Sequence, residues 1–150
     1  MLMLLLLLVL GNARPSNVTI NVNGLVFVAE LQWTVAPTTC LHFVAALPLA
    51  ATALQARWSG EAGWVPLGNE TFGINATENE TSSPLPGQLL FYPKGISETE
   101  ILVPFGVARF GSKYGPLAGT PFLTIVEGQA NYAELARRLE WEGAQAIRFQ

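Results

Sequence analysis

Ser16 to Leu31, reading S-N-V-T-I-N-V-N-G-L-V-F-V-A-E-L, sets the character of the chain. Val18, Ile20 and Val22 alternate with polar residues, the period of a strand with one buried face. Asn23-Gly24 follows, and Leu25 to Leu31 resumes as an apolar run. Asn-Gly between two such runs is the strongest short signal for a hairpin, because both turn residues must adopt positive φ. A chain that begins this way is building an antiparallel sheet.

Outward from the hairpin, most segments read as further strands. Ala53 to Trp58 alternates with Leu54, Ala56 and Trp58 on one face and Gln55 and Arg57 on the other. Gly60 and Gly63 allow a bulge or turn before Trp64 to Leu67. Leu89 to Tyr92, Ile101 to Val103, Val107 to Phe110, Phe122 to Val126 and Gln145 to Phe149 complete the set, with Phe122 to Val126 expected to be central. Two segments are helical. Pro37 suits a first helical turn, Cys40, Phe43, Val44 and Leu47 recur at i, i+3, i+4, i+7, and Pro48 stops the pattern. Asn131 with Glu134 three residues on predicts a capping-box start, Tyr132, Leu135, Ala136 and Leu139 form the stripe, Glu134 and Arg138 pair, and Gly143 ends the helix. Seven or eight short strands without regular alternation with helices predict a mainly β, barrel-like domain over residues 14–150.

Composition narrows the chemistry. The 150 residues are half hydrophobic, enough to bury a core, and carry a formal charge of -3 with eight scattered basic residues, so no basic stripe is available for nucleic acid. There is no aspartate, and His42 and Cys40 are the only residues of their kinds. A His/Cys zinc site would lack ligands, no internal disulfide can form, and Cys40 and His42, two apart on a helix, point in different directions. Neither metal nor cofactor is expected.

Residues 1–13 contain an apolar run, Leu2 to Leu10, too short for a bilayer span of ~20 residues. With small residues at Gly11 and Ala13 it reads as a signal peptide cleaved after Ala13, or as an N-terminal extension; no Lys or Arg precedes it. Glycosylation sequons at Asn17, Asn69, Asn75 and Asn79 agree with secretion, three of them in the long polar segment Gly68 to Gln88. A start-site extension would instead leave the protein cytoplasmic, and an Asn/Thr-rich loop generates sequons by composition alone.

Chemistry concentrates in Ala56 to Gly68, A-R-W-S-G-E-A-G-W-V-P-L-G. Arg57 suits an anionic or carbonyl group, Trp58, Trp64 and Phe122 offer apolar walls, and Ser59, Glu61 and Glu98 supply polarity. Glu98 and Glu100 share a face in extended chain, ~7 Å apart, so either can serve in acid/base work. Solvated carboxylates, or an ion pair from a glutamate to Arg57, Arg109 or Lys113, explain the same residues without any function.

A36-P37-T38-T39-C40-L41-H42-F43 resembles the first-helix motif of cyclophilins, and the strand ending in Arg57, P86-G87-Q88-L89-L90-F91-Y92-P93 and G119-T120-P121-F122 follow in matching order. R-W-S-G-E-A, E-N-E-T ahead of P-L-P-G, I-S-E-T-E-I, T-I-V-E-G and W-E-G-A are similar to a branch of small bacterial and fungal cyclophilin-like proteins of unknown function. The resemblance covers Val18 to Phe149. It implies a closed barrel of about eight strands with two short helices. It also weakens the glycosylation argument, since bacterial relatives carrying E-N-E-T have no use for a sequon.

Cyclophilins pair a catalytic arginine with a phenylalanine five residues later and a glutamine eight residues later. Arg57 resembles the arginine and Phe122 the phenylalanine of the proline pocket, but Ala62 and Val65 stand at the other two positions. Three readings follow: a barrel that binds a small molecule or peptide in the former isomerase cleft, a metabolic enzyme using Glu61, Glu98 or Glu100 as acid or base beside Arg57, and a weak prolyl isomerase. The first two require Arg57, Glu61 and Glu98 to converge on one concave pocket. Nothing in the sequence specifies an oligomeric state.

Overall fold

A computed structural model describes residues 14–150; the leader and its cleavage site lie outside them. Ten strands occur in chain order: β1 Asn17–Val22, β2 Leu25–Leu31, β3 Leu49–Gln55, β4 Gly60–Gly68, β5 Gln88–Tyr92, β6 Thr99–Ala108, β7 Gly111–Ser112, β8 Gly115–Pro116, β9 Thr120–Glu127 and β10 Gln145–Phe149. Helix α1 spans Pro37–Ala45 and α2 Tyr132–Arg137, the latter preceded by a 3-10 turn and continued by a π-helical turn over Arg138–Glu142. Eight strands close a barrel in the order β1-β10-β3-β4-β6-β5-β9-β2, every pair antiparallel, while β7 and β8 form a separate small hairpin. The expected mainly β barrel with two short helices is therefore the fold.

The β1–β2 turn is the one its residues predict: Asn23 and Gly24 have φ of 46° and 91°, and Asn21 Oδ1 accepts a hydrogen bond from the Gly24 N–H at 2.8 Å. Inside the barrel, alternate residues of each strand meet side chains from the helices. Phe43 of α1 stands edge-on to Phe122 and Phe149, with ring centroids 4.9 and 5.5 Å away, and Phe91 meets Phe122 at 5.9 Å. Each fully buried phenylalanine contributes roughly 1.5–3 kcal/mol. Leu135 and Leu139 join the same core from the second helical segment.

Several expectations are corrected. β3 ends at Gln55 rather than Trp58, and β6 absorbs both the strand expected at Ile101 and the one expected at Val107. Pro104, inside β6, is tolerated because it borders an irregularity: Ala62 pairs with Pro104 but Gly60 with Ala108, so β6 bulges. The second helix lacks the expected capping box. Asn131 donates its side-chain N–H to Val26 O instead, and Glu134 binds Arg137 and Arg138 at 2.8 and 3.0 Å. Gly143 does end the segment, at φ 90°.

The loop between β4 and β5 is held at many points despite having almost no regular structure. Glu78 accepts hydrogen bonds from the N–H groups of Thr38 and Thr39 and from the Thr39 hydroxyl, closing the first turn of α1. Phe72 O lies 3.0 Å from His42 Nδ1, and Thr81 bridges to Gly119. The sequon residues Asn17, Asn69, Asn75 and Asn79 are all exposed, although the Asn79 amide donates to Val35 O and that of Asn69 accepts from Lys94 Nζ.

Candidate functional site

The chain leaves β3 at Gln55, turns through Arg57–Ser59 and enters β4 at Gly60. Gly60 has φ 101°, and a Cβ there would stand 2.8 Å from Val107 O, so this position accepts only glycine. The turn is tied down by the buried Ser59. Its hydroxyl donates to Gly111 O at 3.3 Å and accepts from Gly111 N at 3.2 Å, and its carbonyl accepts from Arg109 N at 2.9 Å. Arg57 and Trp58 consequently project at the tip, both exposed, Trp58 at 58%.

On β4 and β6, Val65, Ile101 and Val103 face the barrel core, so alternation sends Trp64, Glu100 and Leu102 to the outer face. That outer face, the Arg57–Ser59 turn and the β7–β8 hairpin enclose a cavity of about 630 Å³. Trp58, Trp64, Leu102 and Tyr114 form apolar walls, with Arg57, Lys113, Glu98 and Glu100 as the charged lining. Lys113 Nζ sits 5.0 Å above the Tyr114 ring.

Glu100 is the unusual member. It is only 6% exposed, and among the described residues no ion pair reaches its carboxyl. Burial, reinforced by the negative charge of Glu98, pushes it up to about 8. The Trp64 indole N–H opposes that rise without reaching full hydrogen-bond geometry, and Nε1 is itself buried without a partner. Gln55 leaves a second such atom at the cavity, its Oε1, while its Nε2 donates to Gly60 O at 3.0 Å. Unpartnered buried polar groups cost about 1–3 kcal/mol each.

The expected site residues divide. Arg57, Trp58, Ser59, Trp64, Glu98 and Glu100 line the one cavity. Glu61 does not: its carboxylate accepts the Val107 N–H at 2.6 Å, supplying a partner to the β6 bulge. Phe122 is fully buried inside the barrel between Phe43 and Phe91, so it cannot form a wall of this cavity. The required convergence of Arg57, Glu61 and Glu98 thus fails at Glu61, so the binding and acid/base readings cannot rest on that trio and keep only the residues that line the cavity. Of the two residues that resemble the isomerase pattern, only Arg57 lines the cavity. The ion-pair explanation also lacks its partner, since among the described residues the pairs join Glu134 and Glu142 to Arg137 and Arg138 only.

Gln55, Leu102, Lys113 and Tyr114 were not expected. Gly111 and Gly115 flanking S-K-Y signal a tight turn, but nothing local reveals that the turn folds over β4 and β6. Among the described residues no three His, Cys, Asp or Glu side chains are grouped to hold a metal ion, and no helix is long and apolar enough to cross a membrane.

A closed antiparallel barrel of eight strands, two short helices and a cavity against the barrel's outer wall define a cyclophilin-like domain. The chain belongs to the DUF3830 family, described as proteins of unknown function, whose model matches residues 18–150. Two solved structures share the fold. McbB, solved in complex with tryptophan, matches with a TM-score of 0.68 at 17% identity over 89% of this chain, which spans only 44% of McbB. The hypothetical protein AF2241 from Archaeoglobus fulgidus matches with a TM-score of 0.59 at 16% identity, over 93% of this chain and 96% of its own. No curated protein sequence matches.

Proposed function

We propose that the cavity between the Arg57–Ser59 turn, the outer face of β4 and β6 and the β7–β8 hairpin binds a small organic molecule with an apolar, ring-sized body. The observation that carries this reading is one cavity wall on which Glu100 is buried without an ion pair and Trp64 Nε1 and Gln55 Oε1 are buried without a hydrogen-bond partner. Such groups are costly in a folded protein and are retained where a ligand completes them. The volume, about 630 Å³, falls within the ordinary range for small-molecule sites. McbB, which contains a barrel of this kind, was solved with tryptophan, a molecule of the same size class. Arg57 and Lys113 at the mouth favour an anionic or carbonyl group there.

A thermal-shift screen of carboxylates, amides, amines and proline peptides tests the proposal, with Arg57→Ala and Glu100→Gln in parallel. A shift in the parent that is reduced in either variant supports it. No shift from any compound, or equal shifts in all three proteins, overturns it.

A second reading rests on Glu100 alone. A carboxyl titrating near 8 holds its proton at neutral pH and can still give it up, the property of a general acid or base. If a bound molecule is turned over, the rate follows a group near that value, and Glu100→Gln loses both the activity and the titration; turnover unchanged in Glu100→Gln removes this reading.

A further inference from the structure

The charges around the cavity differ in burial, and Glu98 also borders a shallow surface depression with Lys94 and Lys113. Glu100 is buried in the wall, with Glu98 beside it on the approach to β6. Arg57, on the turn after β3, and Lys113, in the β7–β8 hairpin, are exposed at the mouth. Trp64 lies across from β6 with its Cα opposite Leu102, on the face that carries Glu100, and Trp58 and Tyr114 add two further aromatic rings. From the second helical segment only Leu139 and Gly143 line the space, so no charge reaches Glu100 from that side.

Resting on the small-molecule reading above, we infer that the ligand is an organic amine, bound with its ammonium group inward against Glu100 and Glu98 and its apolar body among Trp58, Trp64 and Tyr114. An ammonium satisfies what the wall lacks. It donates to the uncompensated carboxylate, lies against electron-rich ring faces, and relieves the repulsion between the two glutamates. With one Glu100 oxygen engaged by the ammonium, the other is free to accept the Trp64 N–H. An inward carboxylate would instead meet the charge of Glu98 and could pair with Glu100 only while that carboxyl keeps its proton. A second, anionic group on the same ligand would be received at the mouth by Arg57 or Lys113, which gives the site a polarity from cationic rim to acidic wall.

The inference carries a proton signature. Near pH 7 a carboxyl titrating at about 8 is mostly protonated, so an arriving ammonium ejects the proton. The balance is simple: the amine stays protonated, Glu100 passes from carboxylic acid to carboxylate, and the released proton goes to buffer. No comparable release accompanies binding above pH 9, where Glu100 is already ionised.

Titration calorimetry with tryptamine and with indole-3-propionate, which present the same ring with opposite charge, tests this. Each titration is run at pH 7 and pH 9 in two buffers of different ionisation enthalpy. Tryptamine is expected to bind, to release close to one proton at pH 7 and almost none at pH 9. Glu100→Gln is expected to weaken it by roughly ten- to hundredfold and abolish the release. Glu98→Gln provides a second variant with a smaller loss. Binding of indole-3-propionate with no tryptamine binding overturns the amine inference and leaves the small-molecule reading standing. Tryptamine binding without proton release, or unweakened in Glu100→Gln, also overturns it. Failure of both probes, together with silence across the wider thermal-shift panel, overturns the inference and the small-molecule reading together.

Discussion

Glu78 accepts hydrogen bonds from both the backbone N–H of Thr39, at 2.6 Å, and its hydroxyl, at 2.8 Å. A loop carboxylate 39 residues downstream therefore does the work of an N-cap, where α1 itself offers only Ala36. The placement also favours negative charge at the positive end of the helix. Two motifs that carry the family resemblance, A-P-T-T and E-N-E-T, are thereby explained as partners in holding the long loop to the barrel.

Replacing Glu78 with alanine is expected to cost about 1–2 kcal/mol, the usual value of a helix cap with its hydrogen bonds. Urea unfolding measures the loss. Hydrogen exchange should locate it, with faster exchange in Asn69–Gly87 and the first turn of α1 and little change in β1 and β10. Unaltered exchange in the loop would show that other contacts hold it.

Glu100 makes stability depend on pH in a definite direction. Its folded value, about 8, lies above its ordinary value of 4.5, so between the two the folded state binds more protons than the unfolded state. Stability from this group is present below about 4.5 and lost as pH rises through 8. Glu100→Gln should remove that slope and be more stable than the parent at pH 9, by an amount on the order of a few kcal/mol. Thermal melts from pH 5 to 9 decide the matter; parallel curves for the two proteins would contradict it.

Arg57 and Glu61, close in sequence, should behave differently. Arg57 is exposed and has no ion pair among the described residues, so Arg57→Ala should change stability by no more than about 0.5 kcal/mol. Glu61→Ala removes the acceptor of the Val107 N–H at the β6 bulge and should cost about 0.5–1.5 kcal/mol. Chemical denaturation of both variants checks the contrast, and the reverse order would overturn the assigned roles.

The Cys40 thiol should be inert in the folded protein. It is fully buried, its Sγ–H donates to Phe122 O at 3.5 Å, and burial, aided by the charge of Glu78, pushes it up to about 12. Since the thiolate is the reactive species, a disulfide reagent at pH 8 should label Cys40 only as fast as the protein unfolds. Rapid labelling without denaturant would be the contrary result.

The sequence by itself determined what local rules govern. Asn23-Gly24 between alternating runs specified the β1–β2 hairpin because only positive φ closes it, and Pro37 to Leu47 specified α1 through its apolar stripe. Gln145 to Phe149 was delimited as β10. The ends of β3 and β6 were not legible. Apolar alternation runs unbroken through Trp58, but the chain turns at Ala56, whose carbonyl accepts from the Ser59 N–H, and the turn is held by Ser59 on Gly111, 52 positions away, with Glu61 spanning the β6 bulge. Arg57, Trp64 and Glu98 were legible as candidates by type and spacing and do line the cavity, whereas the burial that distinguishes Glu100, the inward turn of Phe122 and the arrival of Lys113 and Tyr114 were decided by closure of the barrel. Side-chain type is a local property, but which face is inside, which carboxyl loses its water and which loop covers it depend on strands paired across the whole chain.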